Sequence, residues 1–383
     1  MARNMEFPEL LLPEELVIEI LSCLPVKSHV RFRCVSESWN SLISDSQFVK
    51  LHLHRSYARN VDFAHMLLLI GCHTDNFGRT YASSRSVSSL LESPWDIEVS
   101  RSGIEGDHSI GSCNGLICLR KVISDDPFHV YYNLNKNWVR FWNPATRLMA
   151  PYSPTLHGEG LSFGFGYDCS SDTYKVVAVK PSTDTMMNVY NMGDTCWRRI
   201  QVSPLPPLHL RGAAVYVSNT LNWLASLDII HKNYEMLDTD PSLIVSFDLG
   251  KENYAQHLSV PCPRRRDEFH DFCLTLGVLR GCLCVSQDDR NTGNLVIWQM
   301  KEFGVHGSWT QLLNINVSQN FILYPCFAMC MSDNGDALLL ERLGVHQAVL
   351  YTRKDDKLER TMISSRSLGC YLNNYIESLV SPC

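Results

Sequence analysis

The residues with the clearest catalytic spacing are Gly160, Ser162 and Gly164, which fit the Gly-x-Ser-x-Gly pattern of a nucleophile elbow. That chemistry needs a sharp strand-to-helix turn that exposes the serine, with an acid and a histidine later in the chain. Here a second strand-like segment follows at residues 163–167, and no helical pattern is found nearby. We therefore expect Ser162 to be an ordinary turn residue, and we do not expect the protein to be an enzyme.

The 15 cysteines of the chain raise the question of a metal site or of disulfides. Cys282 and Cys284 would share one face of a strand and Cys326 and Cys330 are four apart, but no second Cys or His pair follows at zinc-ligand spacing. The count is odd, and we expect no signal peptide, because the first apolar segment, residues 10–24, contains three glutamates. Many of the cysteines lie inside apolar runs: Cys34, Cys118, Cys273, Cys282 and Cys330. We expect reduced thiols that pack as small hydrophobic side chains, and neither a metal nor a cofactor.

Two polar segments are candidates for contact with a partner. Arg264, Arg265 and Arg266 suit bidentate binding of carboxylate or phosphate, although Asp267 and Glu268 follow them and a solvated loop explains the same residues. Residues 228–241 are a long polar insertion between apolar runs, and binding residues often lie on such loops. The three arginines are retained as candidate substrate-binding residues.

Composition excludes several classes of protein. The chain has 383 residues, 45% of them hydrophobic and 10% aromatic, which is typical of a large folded protein and not of a disordered chain. Its formal net charge of -6 disfavours a nucleic-acid partner, which usually selects a basic surface. No apolar run approaches the length of a membrane helix. We expect no membrane partner and a location in the cytosol, the nucleus or both.

The first part of the chain has helical periodicity. Apolar side chains recur every four residues and form one stripe: Leu12, Leu16, Ile20 and Leu24. Pro25 ends this helix, a second segment covers residues 26–35, a third begins at the N-cap Ser36, and a fourth covers residues 45–54. Such short helices bury little by themselves. The stripe is therefore covered either by a partner or by the C-terminal part of the same chain.

Residues 12–28 (LPEELVIEILSCLPVKS), with RFRCVS at 31–36 and WNSLI at 39–43, strongly resemble the F-box of plant F-box proteins over about residues 8–50. His29-Val30 departs from the two leucines that are usual in the family, and we expect it to loosen the second helix slightly. The resemblance implies a three-helix unit at residues 8–57 that binds a Skp-type adaptor, and through it a cullin and a RING subunit. It places the adaptor-binding surface at these positions: Leu12, Pro13, Leu16, Ile20, Leu21, Leu24 and Pro25. We expect Trp39 to pack in the core of this unit instead.

From about residue 61 the apolar periodicity changes toward two, which is typical of strands. Glycine-led strands, strands that end in Asn or Asp, and strands that contain tryptophan recur in units of roughly fifty to sixty-five residues. The units start near Gly115, Phe163, Gly212, Leu276 and Phe327. The pattern favours a kelch-like β-propeller of about six four-stranded blades, so that the whole chain is an α+β multidomain protein. A pair of β-sandwiches stays open as the rival arrangement.

This region also resembles the F-box-associated interaction domain of plant kelch-type F-box proteins, over about residues 95–382. The resemblance is carried by FWNPATR at 141–147, by GFGYD at 164–168 with DTYKVV at 172–177, and by YIESLVSP at 375–382. It implies a domain, which we place at residues 61–382, that selects a protein for ubiquitination. We expect a closing strand near residues 371–380 to pair with an early strand around residues 65–70.

Together the two resemblances imply the substrate-recognition subunit of a Skp–cullin–F-box (SCF) E3 ubiquitin ligase. The F-box would dock the adaptor, and the propeller would recruit an unidentified target protein for ubiquitination and degradation. The alternative is a stand-alone propeller that binds a glycan or a small ligand without ligase assembly.

Overall fold

A helical head comes first in the chain and a ring of β-sheets follows it. The computed structural model describes residues 13–59, 67–74, 79–86, 89, 107–124, 135–180, 186–202, 208–227, 243–261, 272–289, 293–316, 326–332, 337–342, 347–354, 357–363 and 370–383. In this part of the chain no helix is long and apolar enough to cross a membrane.

The head contains four helices: α1 (Glu14–Ser22), α2 (Val26–Phe32), α3 (Glu37–Ser44) and α4 (Ser46–Arg59). The head therefore has one helix more than the three expected, because α4 packs against α1 and α3 and belongs to the same unit. The predicted fourth segment is confirmed and is longer than expected, while α2 ends three residues earlier than predicted. Ser36 caps α3 as predicted, since its Oγ accepts the N–H of Trp39 at 3.2 Å.

The strands in the described ranges form five blades and one further sheet. Blade 1 contains β3 (Asp107–Cys113), β4 (Leu116–Ser124), β5 (Asn135–Asn143), β6 (Leu148–Met149) and β7 (Leu156–His157). Blade 2 contains β8 (Ser162–Asp168), β9 (Thr173–Val179), β10 (Met186–Asn191) and β11 (Arg198–Gln201). Blade 3 contains β12 (Leu208–Val217), β13 (Thr220–Leu227), β14 (Leu243–Asp248) and β15 (Asn253–Ser259). Blade 4 contains β16 (Phe272–Leu279), β17 (Cys282–Asp289), β18 (Asn294–Met300) and β19 (Trp309–Asn316), and blade 5 contains β20 (Cys326–Met331), β21 (Ala337–Arg342), β22 (Gln347–Lys354) and β23 (Lys357–Ile363).

A sixth sheet of three strands joins the two ends of this region. It contains β1 (Leu67–Thr74), β2 (Arg79–Ser86) and β24 (Cys370–Tyr375), with β1 in the middle, and we call it the closing sheet. β1 and β24 are antiparallel, with Leu67 opposite Tyr375 and Cys72 opposite Cys370. The predicted pairing between an early and a closing strand is confirmed.

The sheets are arranged in a closed ring. One strand of each sheet contacts its counterpart in the next sheet, in the order β24, β3, β8, β12, β16, β20 and back to β24. This circular order is that of a β-propeller and not of two packed sandwiches. Five blades and the closing sheet correspond to the predicted count of about six.

The sequence repeats mark equivalent places in the blades. Phe163, Gly212, Leu276 and Phe327 all lie in the innermost strand of a blade, whereas Gly115 lies in the turn that follows β3. The third strands of blades 1, 2 and 3 end at Asn143, Asn191 and Asp248, as predicted. The reason is local, because Asx side chains accept backbone N–H groups of the following turn. Asp248 Oδ1, for example, accepts the N–H groups of Gly250 and Lys251 at 2.9 and 3.0 Å.

The serine of the Gly-x-Ser-x-Gly pattern holds two blades together. Ser162 Oγ donates to the carbonyl of Gly212 at 2.6 Å and accepts the indole N–H of Trp223 at 2.9 Å, so both partners come from blade 3. Gly164 is required by the same close approach, because a Cβ there would lie 2.8 Å from the Cβ of Ala214. Ser162 is buried at the start of a strand that another strand follows, which is not the geometry of a nucleophile elbow.

A buried lysine connects the same two blades. Lys175 Nζ lies 2.9 Å from Asp168 Oδ2 and 2.9 Å from Glu252 Oε1, and it donates to the carbonyl of Leu249 at 2.9 Å. Arg198 donates to both carboxylate oxygens of Glu252, at 2.9 and 2.7 Å. Hydrogen bonds from Arg198, and then from Lys175, lower the pKa of Glu252. The lysine therefore has two acidic partners and a carbonyl, and its charge is compensated.

Among the residues whose burial the structure describes, the buried cysteines with free thiols are Cys113, Cys118, Cys284 and Cys330, and the side chain of Cys273 lies outside them. Cys34, which the sequence placed in an apolar run, is instead exposed beyond the end of α2, and Cys282 is half-buried. Burial raises the pKa of Cys284 to about 12, so its thiol stays protonated. Among the described residues no three His, Cys, Asp or Glu side chains lie close enough together to hold a metal ion.

Candidate functional site

The core of the head is small and apolar. Leu21, Val26, Ile43 and Phe48 are buried in it, with half-buried side chains of all four helices around them. Trp39 packs against this core as predicted, and its ring meets Phe32 edge-on at 5.3 Å between centroids. The aromatic pair thus fixes α3 against α2.

One face of α1 remains uncovered. Leu16 is 49% exposed and Ile20, one turn later, is 52% exposed, although both are large apolar side chains. Pro13 and Pro25 are exposed at the two ends of the same segment. Large exposed apolar side chains that lie together on a folded surface usually mark an interaction site. We call Pro13, Leu16, Ile20 and Pro25 the exposed α1 face.

The other predicted adaptor-binding residues are not part of the exposed α1 face. Leu21 is only 2% exposed and belongs to the core of the head, so it supports α1 from inside. Leu24 is half-buried at the edge of that core. Leu12 lies outside the described residues. The stripe read from the sequence is therefore split between a face turned inward and a face turned outward.

Polar contacts that the sequence pattern did not reveal hold α1 in place. Arg55 of α4 donates to the Glu19 carboxylate at 2.7 Å and to the Glu19 carbonyl and the Cys23 sulfur at 3.0 Å each. The hydrogen bond from Arg55 lowers the pKa of Glu19. His29 is fully buried and its Nε2 donates to the carbonyl of Leu21 at 2.8 Å. His29 thus ties α2 to the end of α1.

The head also rests directly on the propeller. Lys50 of α4 pairs with Asp172, in the turn between β8 and β9, at 2.6 Å. The hydroxyl of Tyr57 donates to Asn114 Oδ1, in the turn between β3 and β4, at 3.0 Å. Hydrogen bonds from Lys50, and then from Tyr167, lower the pKa of Asp172. Both contacts use turns at the ends of innermost strands, so the head sits on one face of the ring.

The segment after β24 lies between the head and blade 1. Leu379 is 3% exposed and belongs to the same apolar cluster as Leu21 and Phe48 of the head. Its neighbour Val380 packs instead against the core shared by blades 1 and 2. Ala145, which follows β5, touches the head cluster as well. Of the two covers that the sequence left open, the one within the chain is present in part, since propeller residues cover one side of the head, while the exposed α1 face stays uncovered.

The candidate substrate-binding residues Arg264, Arg265 and Arg266, like the insertion at 228–241, lie outside the described residues. β15 ends at Ser259 before the arginines, and β16 begins at Phe272 after them. Innermost strands such as β3 and β8 end on the face that carries the head, so they begin on the opposite face.

The chain thus joins a helical head with exposed apolar side chains to a closed β-propeller. Two family models match the chain, the F-box domain over residues 10–51 and the F-box associated beta propeller domain over residues 95–382. The chain therefore belongs to the F-box proteins with an associated β-propeller.

Individual relatives agree with this assignment. The F-box/kelch-repeat protein At3g23880 of Arabidopsis thaliana is 29% identical over 385 residues, which cover 97% of this chain and 96% of the relative. F-box protein CPR1 of Arabidopsis thaliana is 28% identical, with 97% of this chain and 89% of the relative covered. A solved structure, the periplasmic gluconolactonase of Pseudomonas aeruginosa, aligns with 10% identity and a TM-score of 0.37 over 79% of this chain and 83% of the other, which is too low to support an argument.

Proposed function

We propose that this protein is the substrate-recognition subunit of an SCF E3 ubiquitin ligase. The head docks a Skp-type adaptor, which brings a cullin and a RING subunit, and the propeller recruits a target protein. The chain contributes no bond chemistry of its own in this proposal. It holds the target near the ubiquitin-carrying enzyme and so raises the effective concentration of the two reactants.

The exposed α1 face is the observation that supports the proposal most directly. Leu16 and Ile20 stay about half exposed in a head that is otherwise folded, capped and seated on the propeller. Two adjacent aliphatic side chains, with prolines at both ends and a polar border that includes Glu19, suit the apolar centre and polar rim of a protein interface.

For the target we propose the face of the propeller away from the head. The face that carries the head has tight turns between first and second strands, at residues 114–115, 169–172 and 218–219. On the opposite face lie the strand ends between which the chain is longer: the end of β4 and the start of β5, the end of β13 and the start of β14, and the end of β15 and the start of β16, which flank Arg264, Arg265 and Arg266 in the sequence. Longer loops on a rigid scaffold are where binding residues concentrate.

The docking proposal is tested with the full chain and a purified Skp-type adaptor. The Leu16→Ala/Ile20→Ala variant is expected to bind at least about 30-fold more weakly, since each side chain of an interface centre contributes about 1 kcal/mol or more. Because both side chains are half exposed, the thermal unfolding of the variant should match that of the wild type. Binding is measured by isothermal titration calorimetry.

The matched control is Ile123→Ala/Val305→Ala, which shortens two aliphatic side chains of similar exposure in the propeller. It should leave adaptor affinity unchanged. Wild-type protein that does not bind the adaptor, or an α1 variant that binds as well as the control, would overturn the proposal and favour a propeller that acts without a ligase.

A further inference from the structure

We propose that residues 376–382 form a strap that completes the core of the head and fixes the head to the propeller. In this arrangement Leu379 is a positioning residue for adaptor binding, although it lies more than 300 residues from α1 in the sequence. This inference rests on the proposed docking function for its binding consequence.

Asn143 fixes the strap at its centre. Asn143 Nδ2 donates to the carbonyls of Ser378 and Val380, at 2.9 and 2.8 Å, and these two carbonyls flank Leu379. The other end of the same amide, Oδ1, accepts the N–H groups of Ala145 and Thr146 at 3.0 and 3.3 Å. One buried side chain therefore holds its own turn and the strap together.

The backbone of blade 1 leaves room for the strap. Gly115 has a φ of +80°, and a Cβ at this position would lie 2.5 Å from the carbonyl oxygen of Ile376 and 2.3 Å from Ser378 Oγ. The hydroxyl of Tyr375 accepts the N–H of Ala145 at 2.8 Å just before the strap begins. The close contacts at Gly115 and at Ala145 thus determine the path of the strap.

Neighbouring apolar side chains of the strap contact different parts of the molecule, one the head and the next the propeller. Leu379 enters the head cluster, and Val380 enters the cluster shared by blades 1 and 2. Loss of Leu379 should leave a cavity beneath α1 and α4, while the ring keeps all of its strands. Since Leu21 lies in the same cluster and carries the exposed α1 face on its outer side, that face should lose its fixed position.

The test compares three variants of the full chain by hydrogen exchange of backbone amides and by adaptor titration. Leu379→Ala should speed exchange in α1 and α4 at least tenfold, leave exchange in blades 2 to 4 unchanged, and weaken adaptor binding at least tenfold. Leu379→Met should restore both readouts because it refills the cavity. Val139→Ala, the matched control, shortens a buried side chain of the cluster shared by blades 1 and 2 outside the strap, and it should leave exchange in the head and adaptor affinity unchanged.

A fourth variant addresses the strap without touching an apolar contact. Asn143→Asp keeps the oxygen that accepts the N–H groups of Ala145 and Thr146, but it replaces the amide donor with a carboxylate that faces two carbonyls. It should reproduce the exchange pattern of Leu379→Ala. Unchanged exchange in α1 for both Leu379→Ala and Asn143→Asp overturns the strap. Wild-type protein without adaptor affinity would instead overturn the docking function, and the exchange measurements would still decide on the strap.

Discussion

At the scale of single residues, the seam between blades 2 and 3 depends on ionised groups with little access to water. Burial by itself would raise the pKa of Asp168, but hydrogen bonds from Ser170, Ser171 and Lys175 outweigh it and hold that pKa well below its ordinary value. Removal of one partner from such a buried set leaves an uncompensated charge, which costs far more than a surface ion pair contributes. The seam is therefore sensitive to protonation.

The direction in which stability changes with pH follows from the lowered pKa values. A carboxyl group with a lowered pKa in the folded state stabilises that state when it is ionised, so its contribution is complete above the ordinary pKa of about 4 and disappears as the pH falls below it. For Glu252 the lowering comes first from Arg198 and then from Lys175. We expect the free energy of unfolding to fall more steeply between pH 5 and pH 3 in the wild type than in the Glu252→Gln variant.

Urea unfolding at pH 7, 5, 4 and 3, followed by far-ultraviolet circular dichroism, measures that difference. The Glu159→Gln variant, which changes a carboxyl group outside the seam, is the control and should retain the wild-type slope. Equal slopes for the wild type and Glu252→Gln would show that the seam does not contribute to acid sensitivity.

Single residues also show which features of the structure could be predicted from the sequence and which could not. The placement of Asn143 at a strand end follows from its turn chemistry and could be predicted from the sequence. Its bonds to Ser378 and Val380 could not, because nothing local indicates which distant segment will lie beside a strand end. The same holds for Ser162, whose partners Gly212 and Trp223 belong to the next blade.

At the scale of elements, signals at the helix ends were the most informative. Ser36 begins α3 where the sequence placed it, and Asp45 Oδ1 accepts the N–H of Gln47 at 2.9 Å where α4 begins. The ends of α2 and α4 were less predictable, because tertiary contacts decide how far a helix continues once it has started. α4 extends to Arg59 and brings Tyr57 onto the propeller.

The cap at Ser36 gives a prediction for a single element. Ser36→Ala removes the acceptor for the N–H of Trp39, and loss of such a cap costs about 1 kcal/mol. Backbone amides of α3 should then exchange about fivefold faster, while those of the blades stay unchanged. Ser44→Ala, an exposed serine at the other end of α3, is the control. Equal exchange in the two variants would contradict a stabilising cap.

At the scale of the whole molecule, the repeat pattern favours a ring but leaves a pair of β-sandwiches open, and the contacts between successive sheets decide for the ring. Glycine-led strands and strands that end in Asn or Asp recur at equivalent places in the blades, so the architecture follows from local signals repeated around the chain. The position of the head could not be predicted in this way. It depends on contacts such as the ion pair of Lys50 with Asp172. In the sequence alone, both residues look like ordinary charged surface residues.

Two truncations separate the ring from the strap. A chain that stops after residue 375 keeps β24 and should retain the main unfolding transition of the propeller. A chain that stops after residue 369 also lacks the strand that pairs with β1, and we expect its transition to fall by about 5–10 °C or more, as for a loss of several kcal/mol. Differential scanning calorimetry measures both, with a chain that lacks only Cys383 as the control. Equal midpoints for the two truncations would show that β24 does not close the ring.

The pairing of β1 with β24 also sets an order of events during synthesis. β1 leaves the ribosome roughly three hundred residues before β24 does. The ring therefore cannot close until translation has passed residue 375, and one side of blade 1 stays unpacked until then. By the strap we propose, the head is incomplete for the same period, since Leu379 is translated later still. On the docking function proposed above, a message cut short by a premature stop codon would yield a chain that competes poorly for adaptors, and defective copies would be kept out of the ligase pool.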